Sequence, residues 1–442
     1  NAVVLRLKRM RAAETSDLNK EGLTMGYTEK LIDFIGKSTD CYHAVKTAKD
    51  RLDENGFTEL FEGDKWDVQN GGKYYVIRNS SSIIAFEMPK KDFGAFMICA
   101  SHTDSPSFKL KPDFEINADG CIKLSVEGYG GMIMSSWLDR PLSISGRIVT
   151  AKDGKIETKL VNIDRDLLVI PSLAIHMSRD INKGYEFNIR RDMCPIASEK
   201  NGRIEDIIAE SVGVDKEKIL GFDLSLYNRM RGTVLGADGE YFSAPRIDDL
   251  QCMYSTLEGF LNSESDDNVT VFAAFDNEEV GSGTKQGAKS SFLRDVLERI
   301  CNNSETYKRA VAKSFMLSCD NAHAVHPNFA DKSDSTNRVY MNGGIVIKYN
   351  ANQRYTTDAV SEAVVKYVCK NAGVPYQMYA NRSDIPGGST LGNLSNEKVS
   401  LNTADIGLAQ LAMHSSYETA GSRDTEYMVK MIKEFYKTEI VL

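Results

Sequence analysis

Length, composition and charge narrow the class of protein first. The chain has 442 residues, more than one hydrophobic core usually serves, so we expect a large domain that carries a second, smaller one. With 42% apolar and 26% charged residues and no long apolar run, the composition excludes a membrane-spanning or disordered chain. A net charge of −8 predicts no nucleic-acid partner, and nothing indicates a membrane partner.

The N-terminus and the cysteines bear on the compartment. Residues 1–20 are basic and helix-prone but lack the apolar region of a secretory signal, so we interpret them as an N-terminal extension and expect it to be disordered. The eight cysteines form no CxxC pair, and several lie in apolar runs such as Phe96–Cys99. Such thiols are typical of a reducing compartment, and we predict a cytoplasmic protein.

Two amphipathic helices and then short strands are predicted in the first hundred residues. Thr28 is expected to cap a helix that carries Leu31 and Ile35, and a second helical pattern ends at Gly56. From residue 74 to residue 99 the pattern changes to that of short strands.

A β-rich segment then interrupts the chain. Polar and apolar residues alternate there, as in Ile122–Val126, and turns are predicted at Asp119–Gly120 and Asp153–Gly154. The segment runs from about residue 107 to residue 244. The parts before Pro106 and after Pro245 are therefore expected to form one discontinuous domain.

Strands alternate with helices in the second half. Buried strands are predicted over 269–275 and 315–319, and a helix over 358–370 that ends at Gly373. This alternation predicts an α/β fold with a layered sheet.

Residues of metal-ligand type follow three of the predicted buried strands. The strand near residue 98 leads into His102 and Asp104, the second into Glu278 and Glu279, and the third into Asp320. In an open α/β sheet the ligand site lies beyond the carboxyl ends of the strands, so these residues are expected to meet in one cleft. His414, which follows another strand-like stretch, is a further candidate.

Imidazole and carboxylate ligands together suit Zn²⁺, with Mn²⁺ and Co²⁺ as alternatives. Two ions that share a bridging carboxylate need roughly two histidines and three acidic residues, and the chain offers that set. Asp248 or its neighbour Asp249 is the candidate bridge. Of Glu278 and Glu279, one is interpreted as a ligand and the other as a general base, since adjacent side chains point in different directions.

Five motifs occur in order along the chain: Ser101–Pro106, Pro245–Asp248, Asp276–Ser282, Asp320–Asn328 and Ala412–Ser415. From about Tyr27 to the C-terminus the chain resembles the M18 family of metallo-aminopeptidases, which includes the aspartyl aminopeptidases. The resemblance implies a three-layer αβα metallopeptidase domain with a mixed sheet, residues 21–106 and 245–442. It also implies an inserted β-rich oligomerisation domain, residues 107–244.

The resemblance also implies a role for each candidate residue. His102, Asp248 and Asp320 would hold one metal ion, and Asp248, Glu279 and His414 the other. Glu278 would be the general base. Asp104 would orient the imidazole of His102, as metal-bound histidines usually require.

Three further residues are implied in substrate binding. Lys348 stands where a lysine of the aspartyl members pairs with an acidic first residue of the substrate. His176 matches a histidine that reaches into a neighbouring subunit's active site, within a dodecamer built from dimers. His323, like His326, would contact the substrate carbonyl or line the cavity, and the Gly387–Thr390 loop would lie beside the pocket.

We therefore predict a two-metal aminopeptidase that removes N-terminal residues from peptides, with a preference for acidic ones. A broad-specificity or glutamyl dinuclear aminopeptidase is the alternative enzyme. A catalytically inactive shell or cargo-binding assembly is the alternative without chemistry, and it is disfavoured because Glu278, Glu279 and His414 are all present.

Overall fold

The structure, a computed structural model, describes residues 26–199, 202–301, 303–385, 387–388 and 390–440. The predicted N-terminal extension, residues 1–20, lies outside them. The α-helices of the described residues are α1 (Tyr27–Lys37), α2 (Cys41–Glu54), α3 (Ile189–Asp192), α4 (Ile204–Ser211), α5 (Ile247–Leu261), α6 (Phe292–Ile300), α7 (Ser304–Lys313), α8 (Ala359–Ala372), α9 (Leu391–Ser395) and α10 (Asp424–Lys437). Short 3₁₀ helices cover Met134–Trp137, Ile181–Lys183, Lys216–Lys218, Glu278–Val280 and Ala330–Lys332.

The described strands run the length of the chain. They are β1 (Thr58–Glu59), β2 (Lys73–Arg78), β3 (Ser82–Glu87), β4 (Phe96–His102), β5 (Ser107–Ala118), β6 (Cys121–Tyr129), β7 (Leu142–Lys152), β8 (Lys155–Asn162), β9 (Ile196–Glu199), β10 (Gly221–Asn228), β11 (Thr233–Leu235), β12 (Tyr241–Ala244), β13 (Val269–Phe275), β14 (Phe315–Cys319), β15 (Ala322–His323), β16 (Ile345–Tyr349), β17 (Tyr376–Ala380), β18 (Asn402–Gly407), β19 (Ala409–Leu411) and β20 (Glu418–Gly421).

A nine-stranded mixed sheet forms the centre of the molecule, in the order β1-β2-β3-β13-β4-β14-β18-β16-β17. Every residue of β4 and β13 is buried, because helices cover both faces of the sheet. Successive side chains of β4 point to opposite faces: Met97 and Cys99 pack in one core with α1, α2, α5, α8 and α10. Phe96 and Ile98 pack in the other core with α6, α7 and α9. The prediction of a three-layer αβα arrangement with a mixed sheet is therefore confirmed.

The β-rich segment forms a second sheet with its own core. Six antiparallel strands in the order β8-β7-β10-β5-β6-β9 pack around apolar residues such as Phe108, Trp137 and Leu224. A third sheet, β11-β12-β20-β19-β15, combines strands from both parts of the chain. Its register pairs Tyr241 with Gly421, so the stretch after Asn228 belongs with strands near the C-terminus.

Helix ends follow the sequence signals in two of three cases. Gly373 ends α8 in the left-handed conformation, as predicted, and α2 ends at Glu54, close to the predicted stop at Gly56. Asp358 caps α8 by accepting from the main-chain N–H of Ser361. The cap predicted at Thr28 is wrong. Helix α1 begins at Tyr27, and the Thr28 hydroxyl donates to the carbonyl oxygen of Ser422 instead, so a tertiary contact takes the place of a cap. Within the described ranges we find no helix with the length and apolar character that a membrane span requires.

Candidate metal centre

The ends of three neighbouring parallel strands place the first candidate residues. Strands β13, β4 and β14 lie side by side, and Phe275 at the end of β13 pairs with His102 at the end of β4. Asp320 directly follows β14. Because parallel strands end at the same edge of a sheet, residues distant in the sequence meet there, as predicted for this cleft.

Asp248 lies between the two histidines. It lies at the start of α5, before the regular part of the helix. Asp248 and Asp249 have non-helical backbone angles, and a cis peptide bond joins them. One oxygen of Asp248, Oδ1, is 3.4 Å from Nε2 of His102, and the other, Oδ2, is 3.4 Å from Nε2 of His414. The Nε2 of His414 is also 3.4 Å from Oε2 of Glu279.

Two groups of side chains have the composition and spacing of metal sites. The first contains His102, Asp248, Asp249 and Asp320, and the second contains Asp248, Glu279 and His414, with the candidate ligand atoms of each group within 4.8 Å of one another. Asp248 is common to both groups, whereas Asp249 belongs to the first group alone. One oxygen of Asp249 also accepts a hydrogen bond from the main-chain N–H of His102, at 3.1 Å.

The two imidazoles are held in the same tautomer. In His102 the Nδ1–H donates to the carbonyl oxygen of Asp104, at 3.0 Å, and in His414 the Nδ1–H donates to the carbonyl oxygen of Gly131, at 2.6 Å. A main-chain carbonyl accepts only, so each Nδ1 carries a proton, and in the neutral imidazole the Nε2 keeps its lone pair. Both free Nε2 atoms point at Asp248, which is the orientation that metal ligands need.

The side chain of Asp104 supports the glutamate pair. Its Oδ1 accepts from the main-chain N–H of Glu278, at 3.1 Å, and its Oδ2 accepts from that of Glu279, at 3.2 Å. The hydroxyl of Tyr129 donates to the same Oδ2, at 2.6 Å. The Oδ1 of Asp104 is also 3.4 Å from Nδ1 of His102, so this one residue orients both the imidazole and the loop of the glutamates.

The pKa values of the buried carboxyl groups in and beside these two groups are typical of a cation site. Burial raises the pKa values of Asp249, Glu279 and Asp320 above their usual ranges. Burial also raises the pKa of Glu278 to about 8. Burial would also raise the pKa of Asp248, but the two imidazoles beside it lower it overall. Carboxylates crowded in this way repel one another unless cations lie among them.

Unpaired buried oxygens indicate where cations would fit. Among the described residues, Asp248 Oδ1, Asp249 Oδ1 and Glu279 Oε1 are buried without a hydrogen-bond partner. Buried carboxylate oxygens are seldom left without a partner, and these three lie within the two groups. Together with the two free imidazole nitrogens, they form a donor set that suits zinc.

Three contributors to this centre were missed at the level of the sequence. Glu418, in β20, accepts from the main-chain N–H of Asp248, at 3.0 Å, and from that of His414, at 2.7 Å. Tyr129 and Gly131 belong to the β-rich segment and reach Asp104 and His414. None of them lies in a pattern that indicates chemistry: Glu418 is 170 residues from Asp248, and Gly131 is 283 residues from His414.

Two of the residues predicted to bind substrate lie near each other, since burial and the charge of Lys348 lower the pKa of His323. Lys348 is buried, and its Nζ donates to the carbonyl oxygen of Asn321, at 2.8 Å, and lies 3.6 Å from Oδ1 of Asp320. His323 lines a cavity of about 360 Å³ that also contains His326, Lys332, Arg382, Gly387, Gly388 and Met413. His176 is exposed in the β-rich segment and belongs to neither metal group.

Comparison with known proteins supports the family resemblance that the five sequence motifs indicate. The family model described as aminopeptidase I zinc metalloprotease (M18) matches residues 34–436. A relative from Clostridium acetobutylicum, named "Probable M18 family aminopeptidase 2", is 45% identical over 428 residues, which cover 93% of this chain and 98% of the relative.

Solved structures share the fold. The cryo-EM structure of the Ape4 and Nbr1 complex superimposes with a TM-score of 0.90 at 35% identity, over 93% of this chain and 85% of that chain. The S. cerevisiae mApe1 dodecamer gives a TM-score of 0.81 at 29% identity, over 92% of this chain and 96% of that one. From the extent of the family match and the identity to its relative, the chain belongs to the M18 family of zinc metallo-aminopeptidases, which are hydrolases.

Proposed function

We propose that this aminopeptidase works with two divalent metal ions, with zinc as the preferred metal and Mn²⁺ or Co²⁺ as substitutes. His102, Asp248 and Asp320 would hold one ion, and Asp248, Glu279 and His414 the other. The observation that carries the proposal is the position of Asp248, whose two oxygens are each 3.4 Å from a different imidazole. Such a carboxylate has the geometry of a bridge, and Asp249, which lies in the first group alone, does not.

Glu278 is the general base in this proposal. Metal ions bound here would polarise the scissile carbonyl and make a water molecule acidic enough to attack at neutral pH. Glu278 takes the proton from that water and delivers it to the amine of the departing peptide. Its main chain is fixed through Asp104, and the neighbouring Glu279 turns towards His414, so the adjacent glutamates serve different roles.

Replacing Glu278 tests the assignment. In Glu278→Gln the shape and the metal ligands remain, but the base is lost, so we expect kcat to fall roughly 10²–10⁴-fold. Metal analysis should still give two ions per chain. Glu298→Gln, an exposed change on α6, is the matched control and should leave kcat unchanged. Undiminished hydrolysis by a metal-loaded Glu278→Gln protein would contradict the mechanism.

We further propose a preference for acidic N-terminal residues. The cavity next to His414 supports it, since Lys332 and two imidazoles line it beside one carboxylate, Asp334, together with Arg382, which pairs with Asp384. Lys348 is the residue that we assign to the acidic side chain. Its contacts with Asp320 and Asn321 favour the alternative, a broad-specificity or glutamyl enzyme in which Lys348 only balances the charge of Asp320.

The assembly is a proposal of the same kind. We propose a homo-oligomer, a dodecamer built from dimers, in which residues 107–244 act as an inserted oligomerisation domain. Support comes from the likeness to the mApe1 dodecamer and from the exposed apolar side chains of Leu173, Ile175 and Met177 around His176. His176 would then act in the site of a neighbouring subunit.

We also infer a cytoplasmic location. All eight cysteines are free thiols, and five of them are buried, as in proteins of reducing compartments.

A further inference from the structure

The loop between β6 and β7, residues 130–141, binds the loop that carries His414, residues 412–416. Besides the bond from His414 Nδ1 to Gly131, the main-chain N–H of Ile133 donates to the carbonyl oxygen of His414, at 3.0 Å. The main-chain N–H of Ser416 donates to Oγ of Ser136, at 2.8 Å, and the Ser416 hydroxyl donates to the carbonyl oxygen of Ser136, at 2.5 Å. Four hydrogen bonds thus join two loops of different sheets.

The His414 loop needs this support because its backbone is unfavourable by itself. Ala412 has φ 55° and His414 has φ 67°, the left-handed region that residues with a Cβ rarely adopt. Such conformations persist where surrounding contacts determine them. The contacts here come from the β6–β7 loop and from Glu418, which accepts from the main-chain N–H of His414.

The end of β6 and the glycine after it also approach Glu279, another member of the second group. A methyl group on Gly130, which has φ +71°, would lie 3.1 Å from Cβ of Glu279. The hydroxyl of Tyr129 reaches Asp104, which in turn accepts from the main chain of Glu279. Both His414 and Glu279 are therefore positioned from the six-stranded sheet.

The first group is held differently. His102 ends the fully buried β4, and its Nδ1 donates to Asp104, two residues further along the same chain segment. Asp320 follows β14 of the same central sheet. This group depends on the nine-stranded sheet and has no comparable contact with the β6–β7 loop among the described residues.

We propose that the β6–β7 loop is a positioning element for the second cation position, formed by Asp248, Glu279 and His414, and that this position loses its ion when the loop is loosened. The inference rests on the two-metal proposal. It predicts that the two positions differ in their dependence on the β6–β7 loop: when the loop is loosened, the first remains filled and the second empties. Ser136 and Ser416 are the positioning residues that can be changed without touching a proposed ligand.

The test is a zinc titration against a competing chromogenic chelator with wild type, Ser136→Ala, Ser416→Ala and the double variant. We expect one of the two zinc affinities to fall roughly 10–100-fold in the double variant, as for other residues that orient ligands, while the other affinity is unchanged. Ser135→Ala, an exposed change in the same 3₁₀ helix, is the matched control and should keep both affinities. Ser136→Thr, which retains the hydroxyl, should keep both affinities at their wild-type values.

The outcomes separate the two proposals. Wild-type protein that binds one zinc ion per chain would overturn the two-metal proposal itself. Two ions in the wild type, with both affinities lowered equally or neither lowered in the double variant, would overturn the positioning role alone. Thermal unfolding of the metal-free proteins checks that each variant folds, and the single variants replace the double variant if it does not.

Discussion

Lys348 is the residue on which the proposed specificity depends. It is buried, with its ammonium 3.6 Å from Oδ1 of Asp320. If it also binds the acidic side chain of a substrate, Lys348→Met should lower kcat/KM for Asp- and Glu-terminated substrates roughly 10–100-fold more than for Leu-terminated ones, since a charged hydrogen bond contributes about 1.5–3 kcal/mol. Chromogenic substrates with Asp, Glu, Leu and Lys measure this directly.

The control for Lys348 is Lys366→Met, which removes a partly exposed cation on α8 that pairs with Glu362. It should alter no substrate preference. An equal loss for all four substrates in Lys348→Met would instead show that the lysine serves only to hold Asp320. The proposal that Lys348 gives a preference for acidic N-termini would then be wrong.

At single positions the sequence indicated which residue types carry the chemistry. It did not indicate which role each of two adjacent residues has. Asp248 and Asp249 are chemically identical, and only the backbone angles at the start of α5 decide which one lies between the two histidines. Glu278 and Glu279 were distinguished by resemblance and not by composition. Their roles remain predictions that the proposed variants test.

At the scale of elements, the strand ends were the most predictable part of the site. Buried apolar runs followed by metal-ligand residues are a local pattern, so the convergence of β4, β13 and β14 could be anticipated. The loop contacts could not be. Gly131 and His414 are 283 residues apart. The contact uses the main-chain carbonyl of Gly131, which every residue type has, so the sequence does not predict it.

The start of α10 gives a prediction about pH. The Asp424 carboxylate accepts from the main-chain N–H of Asn342, at 2.5 Å, and of Gly344, at 2.9 Å, and burial raises the pKa of Asp424 to about 7. The folded protein thus holds this proton more tightly than the unfolded chain, so the carboxyl makes the free energy of unfolding fall as pH rises from about 4 to about 7.

Asp424→Asn removes that titration. Its stability relative to wild type should therefore rise with pH over this range, by a few kcal/mol at roughly 1.4 kcal/mol per pKa unit. Thermal unfolding midpoints of the two zinc-loaded proteins at several pH values measure the difference. A gap that does not change with pH would contradict the argument.

At the scale of the whole molecule, the alternation of residues predicted a β-rich segment but not the partners of its strands. The last two, β11 and β12, pair with each other, and β12 pairs with β20 near the C-terminus; no pattern within residues 233–244 specifies the pairing with β20. Long-range pairing depends on the shape of the assembled core, whereas alternation reports only which face of a strand is buried.

The proposed exchange of His176 between subunits predicts complementation. His176→Ala and Glu278→Gln chains should each be poorly active alone. Co-expressed, they should recover activity, since a His176→Ala chain keeps its base and receives His176 from its neighbour at roughly a quarter of the sites of a random assembly. Native mass spectrometry confirms that the two chains co-assemble. Activity no higher than that of the separate variants would exclude the exchange.

The central claim is that one carboxylate, Asp248, joins two cation positions. Anomalous difference maps from crystals of the zinc-loaded protein test it most directly. The account predicts two peaks per chain, each about 2.0–2.2 Å from an oxygen of Asp248, one beside His102 and Asp320 and the other beside His414 and Glu279. A single peak at Asp248, or peaks only at other side chains, would contradict it.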